Sequence, residues 1–201
     1  PARPAHIPFD DHTVIDTDGL LALKEIPKSI TIIGGGVIGA EYASILATMG
    51  IHVTLVERRP RLLEFVDQET IEALQYHMRS IGVTLRFNEE VVSVERQPQE
   101  QVIVRLKSGK EIAATTVLYS VGRTGASATL NLEAIGLAAD DRGRLKVNEH
   151  YQTTVPHIYA AGDIIGFTTH GGVQLGDTIT EGLSSQADLQ FTGLPFFAPD
   201  L

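Results

Sequence analysis

A run of β-branched residues, Ile30-Thr31-Ile32-Ile33, passes directly into three glycines and from them into a helical pattern. No other stretch of the 201-residue chain restricts its fold as tightly. Apolar residues in unbroken succession suit a strand buried on both faces, the condition of a parallel sheet covered by helices. From Ala40 to Gly50 the residues Tyr42, Ile45, Leu46 and Met49 recur at helical spacing and predict one core-facing stripe, with Gly50 as the C′ residue that ends the helix. Ile51 to Val56 then reads as a second strand. Strand, helix and strand make a βαβ unit, whose crossover is right-handed in nearly all cases, so the fold class is α/β.

The remaining chain extends this unit. Asp67 to Ile81 is a second helix with Ile71, Leu74, Met78 and Ile81 on one side, and Val83 to Phe87 is a third parallel strand. Val91 to Glu95, Val102 to Leu106 and Glu111 to Ala113 are separated by turn-forming residues and read as an inserted antiparallel three-stranded meander. Thr115 to Val121 returns as a buried strand ending at Gly122-Arg123, and residues 145–165 give two or three short strands. Pro1, Pro4, Pro8 and Pro27 break up the first 29 residues, where Asp16 caps a short helix near Gly19 to Leu23. With Pro1 in place of Met, the chain reads as a piece of a longer protein.

Composition removes several functions. The chain has 16 Lys+Arg against 25 Asp+Glu, a net charge of −9, and no long Lys/Arg run, which argues against nucleic acid as a partner. It has no Cys, so disulfides, thiolate metal sites and cysteine nucleophiles are excluded from this stretch, and the expected compartment is cytoplasmic. No apolar run is long enough to span a bilayer, so no membrane partner is expected. The seven histidines fall in no metal-ligating pattern, so no metal is expected.

Gly34-Gly35-Gly36-Val37-Ile38-Gly39 satisfies G-x-G-x-x-G. The match gains weight from its context, since it follows a buried strand, opens a helix and precedes an acid, Glu57, at the end of the next strand. Each glycine then has a task. Gly34 makes the tight turn, Gly36 lets a pyrophosphate approach the backbone and Gly39 lets helix and strand pack closely. The anion rests on the helix N-terminus, where unpaired N–H groups favour negative charge. Glu57 can accept hydrogen bonds from both adenosine ribose hydroxyls, which points to NAD(H). Arg58 and Arg59 follow at once and keep NADP(H) open, because guanidinium groups can recruit its extra phosphate; they read equally as a solvated loop.

At this point three ordered blocks, residues 32–43, 118–123 and Ile158-Tyr159-Ala160-Ala161-Gly162-Asp163, resemble the signatures of the flavin-dependent pyridine nucleotide-disulfide oxidoreductases, the glutathione reductase and lipoamide dehydrogenase superfamily. Within it, Arg61 to Glu69, Tyr76-His77, Asn88-Glu89-Glu90, Gly122-Arg123-Thr124-Gly125 and Leu145 to Asn148 are similar to the soluble pyridine nucleotide transhydrogenases. The resemblance implies a Rossmann-like NAD(P)-binding domain over residues 25–126, preceded by a segment leaving a flavin domain (1–24) and followed by a return segment (127–167). Residues 168–201 match nothing in the family pattern and stay unassigned.

The resemblance also implies roles. The first glycine block binds the nicotinamide nucleotide's pyrophosphate, and Glu41 lies where nicotinamide meets flavin, although a Glu there equally serves as a helix-dipole partner. Val91 lies beside the adenine or plays a plain core role, Gly122 brings backbone near the nicotinamide ribose, and Asp163 contacts the ribityl chain of FAD. The implied function is hydride transfer between NAD(P)H and FAD in a parent enzyme that is a homo-oligomer, this stretch being inactive alone. A disulfide reductase such as lipoamide dehydrogenase is the alternative source of the domain, and a non-catalytic NAD(H)-binding regulatory module is a second.

Overall fold

The computed structural model describes residues 1–98 and 101–161, and the backbone of 165–166. Two compact units result, Pro1–Arg123 and Thr124–Leu201.

In the first unit, β1 (Val14–Ile15), β2 (Ser29–Ile33), β3 (His52–Glu57), β4 (Thr84–Phe87) and β8 (Thr116–Tyr119) form a parallel sheet in the order β1-β8-β2-β3-β4. Three strands between β4 and β8, namely β5 (Val91–Gln97), β6 (Gln101–Leu106) and β7 (Glu111–Ala114), form the expected antiparallel meander. Residues 1–24 do more than lead into the sheet, since they supply its edge strand β1, which pairs with β8 through Val14↔Val117 and Ile15↔Leu118.

Helices α1 (Thr17–Leu21), α2 (Val37–Thr48) and α3 (Gln68–Ser80) complete the unit. Alternation along the strands decides what packs where. Ile30, Ile32, Val53, Leu55 and Leu118 join Ala40, Ala43, Leu46, Ile71 and Met78 of the helices in one cluster. Ile33, Val56 and Val117 point the other way and meet Val94, Val102, Val104 and Leu106 of the meander. The central sheet is therefore covered on both faces, which is why its strands read as unbroken apolar runs.

Local signals account for the helix ends. Asp16 accepts from the N–H groups of Asp18 and Gly19 to cap α1, and Asp67 accepts from those of Glu69 and Thr70 to cap α3. At the end of α2, Gly50 takes φ +85°, its N–H donates to Ala47 O and that of Ile51 donates to Leu46 O, which closes the helix in a Schellman arrangement.

The orientation of α2 differs from the expected stripe. Its buried residues are Gly39, Ala40, Ala43, Leu46 and Ala47, whereas Ile45 is 53% and Met49 56% exposed. Small residues let the helix lie close to the sheet, and that close approach outweighs the burial of the larger side chains on the neighbouring face.

In the second unit, a 3₁₀ turn at Leu132–Ile135 ends at Gly136. Leu137, Leu145, Val147 and Ala160 form a small core, and β9 (Leu145–Lys146) pairs in parallel with β10 (Ile165–Gly166). Asp163 and residues 168–201 lie outside the described residues. Among the described residues no helix is long and apolar enough to cross a membrane.

Candidate functional site

From β2 the chain moves outward through β3 to β4, then returns across β2 to β8 on the other side. Such a reversal opens a crevice at the carboxyl ends of the strands, the place where open α/β sheets bind ligands. A cleft of about 360 Å³ lies there, lined by the ends of β2 (Ile33, Gly34, Gly36), β3 (Val56, Glu57, Arg58, Arg59) and β8 (Tyr119 to Gly122), with Glu89 and Glu90 before the meander and Val91 at its start.

The three glycines do separate work in the turn. Gly34 takes φ +108°, which a side chain resists, and its N–H donates to Val56 O at 2.9 Å. A Cβ on Gly39 would run into the carbonyl of Gly34, so strand and helix come together only because that atom is missing. A Cβ on Gly36 would meet nothing within 4 Å. Packing does not require a glycine at position 36, yet the position faces the cleft. Gly36 is also the N-cap of α2, with no side chain among the described residues capping the first amides and no acid in the first turn. Open space and unclaimed N–H donors at one helix end are what an approaching pyrophosphate needs. The residues present therefore fit that group.

Ser120 ties the two central strands together at this point. Its hydroxyl donates to Ile33 O at 2.9 Å, and its N–H donates to the same carbonyl.

Glu57 ends β3 and is only 5% exposed. Its Oε2 accepts from the Gly35 N–H at 2.6 Å and from Arg59 Nη2 at 3.1 Å; its Oε1 accepts from the Arg59 N–H at 2.9 Å and Arg59 Nε at 3.0 Å. Burial alone pushes this carboxyl up, but the bonds from Arg59 and Gly35, together with the Arg59 charge, outweigh it and hold the group below its usual range. Glu57 is thus ionised at neutral pH and clamps the glycine turn from the side. Beyond it, Glu89 bonds to Lys110 Nζ at 2.7 Å and Glu90 to Lys107 Nζ at 2.8 Å. Arg58 is exposed and makes no ion pair among the described residues.

Of the residues singled out in the sequence, Gly34, Gly36, Glu57, Arg58, Arg59, Val91 and Gly122 line this one cleft. Gly35 supports it through the bond to Glu57. Val37 and Glu41 instead border a separate apolar hollow of about 370 Å³ with Ile45, Leu63 and Leu74. Ile38 is partly exposed on the first turn of α2.

The sequence reading did not include His6 and Ile7 among the cleft residues. Ile7 is buried, and the segment around it is pinned by Arg3, which bonds to Asp16 at 2.6 Å and lies over the Phe9 ring, itself edge-on to Tyr119. No local pattern marks such a wall, because it is made by residues far from the glycine turn in sequence. Ser120 and the Glu89-Glu90 pair lie within the motifs that resemble the family, but only their position in the fold shows that they border the cleft.

The chain is similar to known proteins along most of its length. A sequence profile of the pyridine nucleotide-disulphide oxidoreductases matches residues 3–182. The chain is 48% identical over 167 residues to a soluble pyridine nucleotide transhydrogenase of Mycobacterium bovis and 50% identical over 167 residues to one of Colwellia psychrerythraea, covering 83% of this chain in both cases. It spans 36% of the length of each of these relatives. Among solved structures, an HOCl-induced flavoprotein disulfide reductase from Escherichia coli superposes with a TM-score of 0.73 at 34% identity, over 82% of this chain and 38% of the other.

Proposed function

Because the chain belongs to the pyridine nucleotide-disulphide oxidoreductase family, we propose that its Pro1–Arg123 unit is the nicotinamide-nucleotide-binding part of an FAD-dependent oxidoreductase that transfers hydride between NAD(P)H and FAD. The parent enzyme on this reading is a soluble pyridine nucleotide transhydrogenase, the activity named for relatives at 48% and 50% identity.

The observation that carries the reading is Gly36, a helix N-cap with open space where a side chain would stand and with no side chain among the described residues capping the amides beside it. A dinucleotide's pyrophosphate has the charge and the size to use both features. Glu57 lies at the adenosine ribose end, Val91 at the adenine and Gly122 toward the nicotinamide ribose. Glu41 lies toward the flavin. The electronic chemistry comes from the nicotinamide and flavin rings when bound. This chain's own part is to hold the nucleotide by its phosphates and ribose in a fixed place, which removes translational freedom from the reacting pair.

The test is equilibrium titration of the purified 201-residue chain with NADH and with NADPH at one salt concentration. Saturable binding of NADH by a colourless, catalytically silent chain is the expected result. Saturation by neither nucleotide overturns the proposal, and stoichiometric flavin in the preparation overturns its division of labour.

A further inference from the structure

An ionised carboxylate offers about four lone-pair positions, two on each oxygen. All four on Glu57 are taken, by the Gly35 N–H, the Arg59 N–H, Arg59 Nε and Arg59 Nη2. A ribose diol that approaches this carboxylate finds no vacant acceptor. Two of the four donors are backbone groups in the turn and at the strand end, so neither can leave without moving the chain. The other two belong to one side chain, whose guanidinium is partly exposed and able to swing out.

We propose that Arg59 is the specificity-determining residue of the cleft: closed on Glu57 it makes the ribose end acceptable to NADPH, and swung away it releases the carboxylate to the ribose hydroxyls of NADH. This inference rests on the nucleotide-binding reading above and says which group decides between its two ligands.

The charges follow from the geometry. With Arg59 in place the Glu57–Arg59 pair is neutral as a whole, so the acid no longer repels a 2′-phosphate as a lone carboxylate would. The phosphate replaces one of the two hydroxyls, so the nucleotide that carries it loses little by finding Glu57 already occupied. Arg58 stands next in sequence without an ion pair among the described residues, and both arginines border a second hollow of about 660 Å³ with Lys107 and Ser108. That hollow adjoins the cleft through Arg58, Arg59, Glu89 and Glu90, which line both. Its glutamates are paired with Lys110 and Lys107, and Arg58 borders it as a cation outside those ion pairs that a phosphate can meet. NADH meets the opposite situation. It gains its two charged hydrogen bonds only after breaking the two from Arg59, so its affinity is reduced by the cost of opening the pair.

The consequence is that removing a cation from the site strengthens binding of one dinucleotide. In Arg59→Ala, NADH binds more tightly and NADPH more weakly, and the ratio of their dissociation constants moves toward NADH by about tenfold, the scale of one charge-assisted hydrogen bond. Arg59→Lys keeps the charge without the fork, and its ratio lies between those of Arg59→Ala and the wild type. Both constants come from titrating one preparation with NADH and NADPH, so a fraction of misfolded protein cancels from the ratio. Two dissociation constants that shift together in Arg59→Ala overturn the inference and leave the nucleotide reading standing. A wild-type chain that binds neither nucleotide overturns both. Should Arg59→Ala fail to fold, an unmoved ratio in Arg59→Lys is the overturning result.

Discussion

At the mouth of β2 the cleft is lined by backbone, with amides of α2 that no side chain caps and open space beside Gly36. At the mouth of β3 it is lined by a carboxylate that already holds four donors. The first region is ready as it stands, since its donors have no side-chain partner among the described residues to give up. The second has to exchange partners before its carboxylate can accept from a ribose hydroxyl. A backbone site of this kind takes either nicotinamide dinucleotide, because both have the same pyrophosphate. Discrimination falls to the side-chain site, where the ligands differ by one phosphate. The difference also explains why a stabilising contact and a binding contact can be the same group in one region and different groups in the other.

The sharpest way to break this contrast is Gly39→Ala. If the glycine turn owes its shape to backbone contact, a Cβ that collides with the Gly34 carbonyl and crowds the Ser120 hydroxyl should cost about 3 kcal/mol. Denaturant melts would measure it, and a loss below about 1 kcal/mol would mean the turn has room to adjust.

Next in size is Glu57→Gln. The carboxyl of Glu57 is held below its usual range in the folded protein. Its contribution is therefore fully present above the unfolded value near about 4.3 and is lost as pH falls through the folded value. The variant should be less stable by about 2 kcal/mol at neutral pH, and its stability should decline less steeply than the wild type's on acidification. Melts repeated from neutral pH down through the carboxylate range read both quantities. Parallel acid slopes in the two proteins would show that the clamp does not depend on charge.

The smallest effect on the fold, and the most informative about function, is expected for Gly36→Ala. Nothing within 4 Å opposes the new methyl group, so stability should change by less than about 1 kcal/mol. NADH affinity should fall by about tenfold, or about 1.4 kcal/mol, because the methyl occupies the approach of the pyrophosphate. Equal affinity in variant and wild type would leave the mouth of β2 as a turn and nothing more.

Much of the fold can be traced in the sequence alone. The unbroken run Ile30 to Ile33, the positive-φ turn at Gly34, the closing glycine at Gly50 and the capping acids Asp16 and Asp67 all act within a few residues of themselves, so local chemistry is enough to find them. The packed face of α2 is legible only in part: Leu46 and Tyr42 pack inward as expected, but Ile45 and Met49 follow the helical period as well as Ala43 and Ala47 do and stay outside. Only contact with the sheet decides which face goes inward. The place of Glu57 at the strand end was legible, but its saturation was not. Reading that requires the direction in which the Gly35 amide and the Arg59 side chain point.

What this sequence determined by itself is the order of its elements and the glycine turn between β2 and α2, since both depend on backbone preferences and apolar spacing over short stretches. Tertiary structure alone decided that His6 and Ile7 wall the cleft, that Ser120 joins the ends of β2 and β8, and that the acid at the end of β3 already has its partners. Each of these needs groups far apart along the chain, or a side chain's direction, to be settled by folding. A one-dimensional pattern contains no distance across a sheet and no count of the lone pairs left over once the chain has packed.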